Sequence, residues 1–339
     1  MADSIEQPKV AVLFGGDGYI GRNLILRLAQ NRLFDHLIVA DINKSEASEV
    51  FYEKHNIQHI KCDVRHPINQ IPIVDFDPVN SWIFNFAAIH REPGHDFREY
   101  FDTNVPGAKN VVEFAEKIGV KNIFFTSSIA PYGRSEDQRT ENSSLYPETA
   151  YGISKALAEE IHQKWLATDK SKRLIIVRPS VIFGPNDPGN VYRMISSLKK
   201  GTFILPNGGN IVKAYGYVYG LIDSILFTIK KQERLILYNY AESALEPLNK
   251  MVKIAKEELE INKPVLKLPV PLLVLIAFCV QVMFRIIGKK TDIHPVRVKK
   301  AGFPTNIKSE YLQANGFEFR YDFRSALRHW KGVSPEDFQ

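Results

Sequence analysis

The sequence predicts an α/β fold in which a doubly wound parallel sheet is followed by a smaller C-terminal α/β lobe. Three observations carry this reading. Short β-branched and aromatic runs alternate with helical patterns through the first half of the chain, which is the rhythm of βαβ units. A glycine-rich turn joins the first run to the first helical pattern. After about Pro179 the alternation becomes irregular, and clusters such as Gly184-Pro185-Asn186-Asp187-Pro188-Gly189 break it into shorter pieces. At 339 residues the chain exceeds the common size of one domain, and it divides into lobes at 8–180 and 181–339.

The strands are expected at Val10–Phe14, Leu37–Ala40, Ile57–Lys61, Trp82–Phe86, Ile123–Thr126 and Leu174–Arg178. Each is a near-continuous apolar run, as a parallel sheet covered on both faces requires. Between them, Ile20–Ala29, Asn110–Ile118 and Ile153–Leu166 repeat apolar residues at three and four, with charges on the other face. These are the expected helices.

The turn after the first strand reads Gly15-Gly16-Asp17-Gly18-Tyr19-Ile20-Gly21, a GxxGxxG that opens a helix. Glycines at such a turn let the backbone come close to a pyrophosphate, whose charge then rests on free N–H groups at the helix N-terminus. Asp41, about twenty residues on at the end of the second strand, is placed to accept both hydroxyls of an adenosine ribose and favours NAD over NADP. Lys44 nearby keeps a 2′-phosphate binder open. Asp63, followed by Val64 at the end of the third strand, can meet the adenine amino group.

Tyr151 and Lys155 form a YxxxK, which on a helix sets both side chains on one face. A tyrosine at its ordinary pKa of about 10 is a poor base at neutral pH, and an adjacent ammonium favours its phenolate. Ser128 follows the fifth strand at the C-terminal edge of the sheet, where ligands of this architecture bind. It can donate a hydrogen bond to the oxygen that Tyr151 deprotonates. Ser127 reads instead as a turn or capping serine.

The order of these motifs, with Asn85-Phe86-Ala87-Ala88, Thr103-Asn104 and Arg178-Pro179, resembles the extended short-chain dehydrogenases/reductases, the NAD-dependent epimerase/dehydratase family. The resemblance covers nearly the whole chain and implies a Rossmann-type fold with NAD as cofactor. It further implies that Ala87, Ala88 and Pro179 line the nicotinamide end, that Asn104 braces the cofactor region, and that Lys155 also holds the ribose hydroxyls. On the substrate side it points to His90, Ser128, Lys213 and Arg193, with a homodimer as the assembly.

Members of this family include sugar 4-epimerases, 4,6-dehydratases, 4-reductases and 3β-hydroxysteroid dehydrogenases. Family dehydratases carry an acidic pair after the active-site Ser/Thr, whereas this chain has Ile129 and Ala130, which argues against dehydration. Val181 stands where many sugar-nucleotide enzymes have a diphosphate-contacting Asn. Segments such as Gly189-Asn190-Val191-Tyr192 and Leu268-Pro269-Val270-Pro271-Leu272 look like those of polyprenyl-diphosphate-linked N-acetylhexosamine 4-epimerases of surface-polysaccharide assembly. The expected reaction is therefore 4-epimerisation of a diphosphate-linked sugar, through a transient 4-keto sugar. A dehydrogenase or ketoreductase of the 3β-hydroxysteroid or 4-ketosugar type is the alternative.

A net charge of +6 suits phosphate-bearing substrates, anionic lipid or nucleic acid, but no basic stripe or stacking motif supports the last. Cys62 and Cys279 are far apart and form neither a disulfide framework nor a metal motif, which fits a reducing, cytoplasmic compartment. Residues 1–8 are polar and read as a short tail, not a secretory signal. The segment 268–287 is almost wholly apolar, with Lys263 and Lys267 before it and Lys289 and Lys290 after it. Its helical part spans about 25 Å, short for crossing a bilayer, so the sequence offers two readings: burial in the lobe or a place in the membrane interface at the inner face of the cell membrane.

Overall fold

The computed structural model describes residues 7–339 other than 73–74, 93, 188, 289–290 and 292–294. Most of the expected tail, Pro188, and the flanking Lys289 and Lys290 lie outside these residues.

Seven strands form one parallel sheet: β1 (Val10–Phe14), β2 (His36–Asp41), β3 (Gln58–Lys61), β4 (Trp82–Asn85), β5 (Asn122–Thr126), β6 (Arg173–Pro179) and β7 (Leu235–Tyr240). Their order is β7-β6-β5-β4-β1-β2-β3. The chain starts in the middle, moves out to β3, and returns to β4 on the other side of β1. That reversal opens a crevice at the C-terminal ends of β1 and β4, where Phe14 pairs with Ala40 on one side and Asn85 on the other. Every one of the six expected strands forms, with ends shifted by about a residue.

Burial on both faces explains why the strands read as unbroken apolar runs. Val12 and Phe14 point into a core with Phe114, Ala158 and Trp165. Ala11 and Leu13 point the other way, against Leu24, Leu28 and Leu221. The first core lies beneath the helices Phe97–Ile118 and Ala150–Ala167, the second beneath Tyr19–Asn31 and Val218–Ile229. The helix expected from Asn110 begins earlier, at Phe97, behind a capping box formed by Asp96 and Glu99. Pro106 within it is tolerated, although in the sequence it hides the first turns.

Beyond residue 180 the chain builds a third core from Phe183, Ile195, Tyr215, Leu327 and Trp330. It also goes back to the sheet, supplying β7 and the covering helix Val218–Ile229. Leu235–Tyr240 pairs with β6 residue for residue, from Leu235 with Leu174 to Tyr240 with Pro179. The sheet thus draws its last strand from the part of the sequence that reads as irregular.

The apolar segment forms the helix Val270–Ile286 at the surface, with Leu273 and Ala277 buried. Among the described residues no helix is long and apolar enough to cross a membrane.

Candidate active site

The glycine turn, Asp41, Ala87, Ser128, Tyr151 and Lys155 all gather on the C-terminal edge of the sheet. Gly15 has φ +68°, and a Cβ there would lie 2.6 Å from the Ala87 backbone nitrogen, so a side chain would push the first and fourth strand ends apart. Gly18 caps the helix Tyr19–Asn31, and a Cβ on it would meet only the Gly15 carbonyl at 3.1 Å, which leaves the turn open to a close-approaching ligand. The first-turn amides of Tyr19 and Ile20 have no acceptor within an α-helix and face that approach.

Asp41 Oδ2 accepts from the Asp17 N–H at 3.0 Å and Oδ1 from the Asn43 N–H at 3.0 Å. Burial raises its pKa, against the pull of those two bonds. Asp17, which the sequence shows only as a variable position between glycines, ties the turn to the next helix. Its carboxylate accepts from the Ser45 N–H at 2.7 Å and from the hydroxyls of Ser48 and, at 3.2 Å, Tyr52. Asp63 accepts the Arg65 guanidinium, at 2.6 Å from Nη2, as well as the Arg65 N–H. Val64 packs against Gly107, and its carbonyl accepts from Asn110 at 2.7 Å.

Asn104 closes a two-bond clamp on the strand-end loop: it accepts from the Ile89 N–H at 2.8 Å and donates to the Ile89 carbonyl at 3.1 Å. It also donates to Ser154 Oγ at 2.9 Å, so one amide joins the Ala87-Ala88-Ile89 loop to the helix Ala150–Ala167. His90, next along, is exposed, yet desolvation lowers its imidazole pKa and the charges of Arg91 and Lys155 lower it further.

The helix Ala150–Ala167 starts at a cap in which Thr149 Oγ1 accepts from the Gly152 N–H at 3.1 Å. Its first turn presents Tyr151. Burial pushes the phenol up to about 12, and a hydrogen bond with Ser128 pulls it down. One turn on, Lys155 donates to the Thr126 carbonyl at 2.6 Å and lies 4.2 Å from the centre of the Phe125 ring. Burial brings this amine down to about 7, opposed by the carboxylate of Glu159.

Glu159 is the residue that the sequence conceals. It sits one further turn along, and its carboxylate takes Arg178 in a two-point pair, Nε to Oε1 at 2.9 Å and Nη2 to Oε2 at 2.6 Å. Ser127, expected as a turn serine, is buried and donates to the same Oε1. Arg178 continues the chain to Tyr132 Oη at 2.8 Å, which donates to Asn239 Oδ1 at 2.8 Å on β7. The i,i+4 spacing from Lys155 was the available signal. A glutamate on a helix ordinarily reads as a solvated charge. His162, two turns beyond Lys155, stacks on Phe125 at 4.1 Å and is held neutral by burial, with its pKa down at about 3.

Of the expected substrate contacts, Ser128 hydrogen-bonds Tyr151. Lys213 donates to the Phe303 carbonyl, and burial lowers its pKa to about 8. Arg193 is exposed on the helix Asn190–Lys200, with Asp187 in its field. Pro179 ends β6 beside Tyr240.

Several polar atoms along this edge are buried without a hydrogen-bond partner, among them Tyr19 Oη, Thr126 Oγ1 and Ser180 Oγ. With the open glycine turn and the Asp41 carboxylate, they make a cradle that fits a dinucleotide.

Residues 11–240 match the NAD dependent epimerase/dehydratase family. The chain belongs to that family. An undecaprenyl-diphosphate N-acetylglucosamine 4-epimerase of Escherichia coli O157:H7 is 35% identical over 243 residues, 71% of this chain and 73% of that protein. A 3β-hydroxysteroid-dehydrogenase/decarboxylase of Arabidopsis thaliana is 25% identical over 328 residues, 87% of this chain and 72% of its own length. Among solved structures, the UDP-glucose 4-epimerase of Thermotoga maritima superposes with a TM-score of 0.74 at 18% identity, covering 97% of this chain and all of that one. The last likeness concerns the fold. The fold and the family are those the motifs predict.

Proposed function

We propose that this chain is an NAD-dependent 4-epimerase of a diphosphate-linked sugar, and that the carrier is a polyprenyl lipid. The observation that carries the chemistry is the convergence of Tyr151, Ser128 and Lys155 at the mouth of the glycine-turn crevice. Tyr151 takes the proton of the sugar C4 hydroxyl while Ser128 donates to the same oxygen. Lys155, one turn below, favours the phenolate when charged, and its Thr126 bond fixes its position. NAD, when bound, supplies the acceptor and then the donor of the C4 hydride. The 4-keto sugar turns and regains hydrogen on its other face, with Tyr151 returning the proton, so there is no net oxidation.

In this reading Gly15, Gly18, Tyr19, Ile20 and Gly21 hold the pyrophosphate, Asp41 the adenosine ribose, and Asp63 and Val64 the adenine end. Ala87, Ala88, Asn104 and Pro179 line the nicotinamide side. His90 faces the sugar, and Lys213 and Arg193 face its diphosphate. The lipid carrier is supported by the 35% identical relative, by Val181 in place of a diphosphate-contacting Asn, and by the exposed helix Val270–Ile286. The same features support a position at the inner face of the cell membrane, in surface-polysaccharide assembly. Exposed Phe97 and Leu157, on the two helices beside the site, suit a homodimer.

The test is incubation of purified protein with polyprenyl-diphosphate and UDP-linked N-acetylhexosamines, followed by sugar analysis and absorbance at the NADH band. Formation of the C4 epimer on the lipid carrier without NADH accumulation is expected. Stoichiometric NADH with a sterol alcohol, and no epimer, would replace this reading with the hydroxysteroid one.

A further inference from the structure

The helix Val270–Ile286 is patterned inside out. Leu272, Leu275, Phe278, Val282 and Met283 are exposed, and Ile286 is 79% exposed. The inward side carries Leu273 and Ala277 together with the half-buried Gln281. At 3.6 residues per turn the apolar outward side chains, from Phe278 round to Ile276, cover an arc of about 160° with no charge until Arg285 at its edge. A helix whose outer face meets water carries the opposite pattern.

The charge of this stretch of sequence bears on what covers the face. Between residues 263 and 300 stand eight lysines and arginines and one acid, Asp292, a net +7 against +6 for the entire chain. The rest of the protein is close to neutral. Lys263, Lys267 and Lys299 are exposed. A second copy docked through the same face would bring +7 against +7, whereas an anionic surface meets both the apolar arc and the charge.

The helix is also tied to the segment that carries the catalytic serine. Its first amide, Val270 N–H, donates to Asn207 Oδ1 at 3.0 Å. Val270 packs on Gly302, where a Cβ would come within 2.5 Å of it. The next residue, Phe303, lies under the Arg134 guanidinium at 4.5 Å, and its carbonyl accepts from Lys213. Arg134 is six residues from Ser128 in a segment whose continuation, Ser135–Arg139, pairs with Thr305–Ile307.

We propose that Val270–Ile286 lies flat in the interface of an anionic bilayer, apolar arc inward to the lipid, and so holds Phe303, Arg134 and Lys213 at headgroup depth beside the site. At about 25 Å the helix is too short to span a hydrocarbon core of about 30 Å and long enough to bury one face in its boundary. This deepens the lipid-carrier reading above, on which only the position of the site relative to the lipid rests.

The test is sedimentation of the full-length protein with vesicles of phosphatidylglycerol and phosphatidylcholine, or of phosphatidylcholine alone. Binding to the anionic vesicles, release by salt, and a loss of about tenfold or more in the doubly substituted Phe278→Asp/Met283→Asp protein at unchanged melting temperature are expected. Protein that stays in the supernatant, or a variant that binds as the parent does, overturns the proposal. So does a vesicle-free dimer that the double substitution dissociates, since the face would then join two copies. Epimerisation of detergent-dispersed substrate by the double variant keeps the two readings apart. Retained turnover with lost binding separates docking from catalysis, and vesicle-bound parent that forms no epimer refutes the function while leaving the docking intact.

Discussion

Two regions of this molecule reverse the ordinary placement of side chains, and they resolve the reversal differently. Along the buried side of the helix Ala150–Ala167, Lys155, Glu159 and Arg178 are charged residues at 2%, 2% and 4% exposure. On the outer lobe, the helix Val270–Ile286 turns its apolar arc to the surface. The buried charges answer one another, through the Glu159–Arg178 pair and bonds to Ser127, Thr126 and Tyr132, so that nothing outside the chain is required. The apolar arc has no such answer within the described residues. An anomaly with internal partners is architecture, and one without them points to a neighbour.

The strongest way to sharpen the contrast is to strip the hydroxyl proposed as the catalytic base beside the buried charges. Tyr151→Phe removes one hydroxyl at the edge of this network, and turnover is expected to fall by about two to four orders of magnitude with the melting curve unchanged. Steady-state kinetics beside calorimetry check both halves. Equal turnover would remove Tyr151 from the chemistry.

Breaking the pairing comes next. Glu159→Ala leaves Arg178 and Lys155 buried without their carboxylate and is expected to cost about 3–5 kcal/mol in denaturant unfolding. The paired replacement Glu159→Leu/Arg178→Met is expected to cost clearly less, because Arg178 is then no longer stranded. If the two cost the same, the bonds and not the charges matter.

Glu242 separates burial from pairing. It is as buried as Glu159, but its Oε1 accepts from the Tyr217 N–H at 2.9 Å and the Tyr240 hydroxyl at 2.9 Å instead of from a guanidinium. Burial pushes its carboxyl up to about 7 from the ordinary 4.5. The folded state therefore holds its proton where the unfolded chain has lost it. The stability this contributes is full below pH 4.5 and is lost as pH rises through 7. Glu242→Gln keeps both acceptor contacts and is expected to match the parent at pH 4.5 while gaining on the order of 2 kcal/mol at pH 8. Unfolding curves at the two pH values decide it.

The smallest effect belongs to the outer helix. Leu275→Ser is expected to change stability by less than about 0.5 kcal/mol in the absence of lipid, because the side chain is already in water. A larger loss would mean that the arc is packed within the protein.

How much was legible follows from how local each signal is. The strands Val10–Phe14 and Asn122–Thr126 show as apolar runs because both faces of the sheet are covered, and the glycine turn shows because backbone closeness admits few residues. Leu235–Tyr240 carries the same kind of run, LILYNY, but what makes it part of the sheet is its pairing with Leu174–Pro179 far back in the chain. Ser127 and Glu159 look like a turn serine and a surface acid until the fold brings them together with Arg178. The surface helix was legible as apolar, and its orientation was not, since a helical repeat does not say which side faces the protein.

The origin of β7 has a consequence during synthesis. When the ribosome has released β6, Ile175, Ile176 and Val177 stand at an unpaired edge of a nearly finished sheet, and they stay so until Leu235–Tyr240 emerges. At about 5–20 residues per second that interval lasts several seconds. A nascent chain in this state offers a sticky ribbon to its neighbours on the same message. A chaperone that shields edges, or a slow stretch of codons after residue 240 that gives the last strand time to dock, would raise the yield of folded protein without altering a single residue of it.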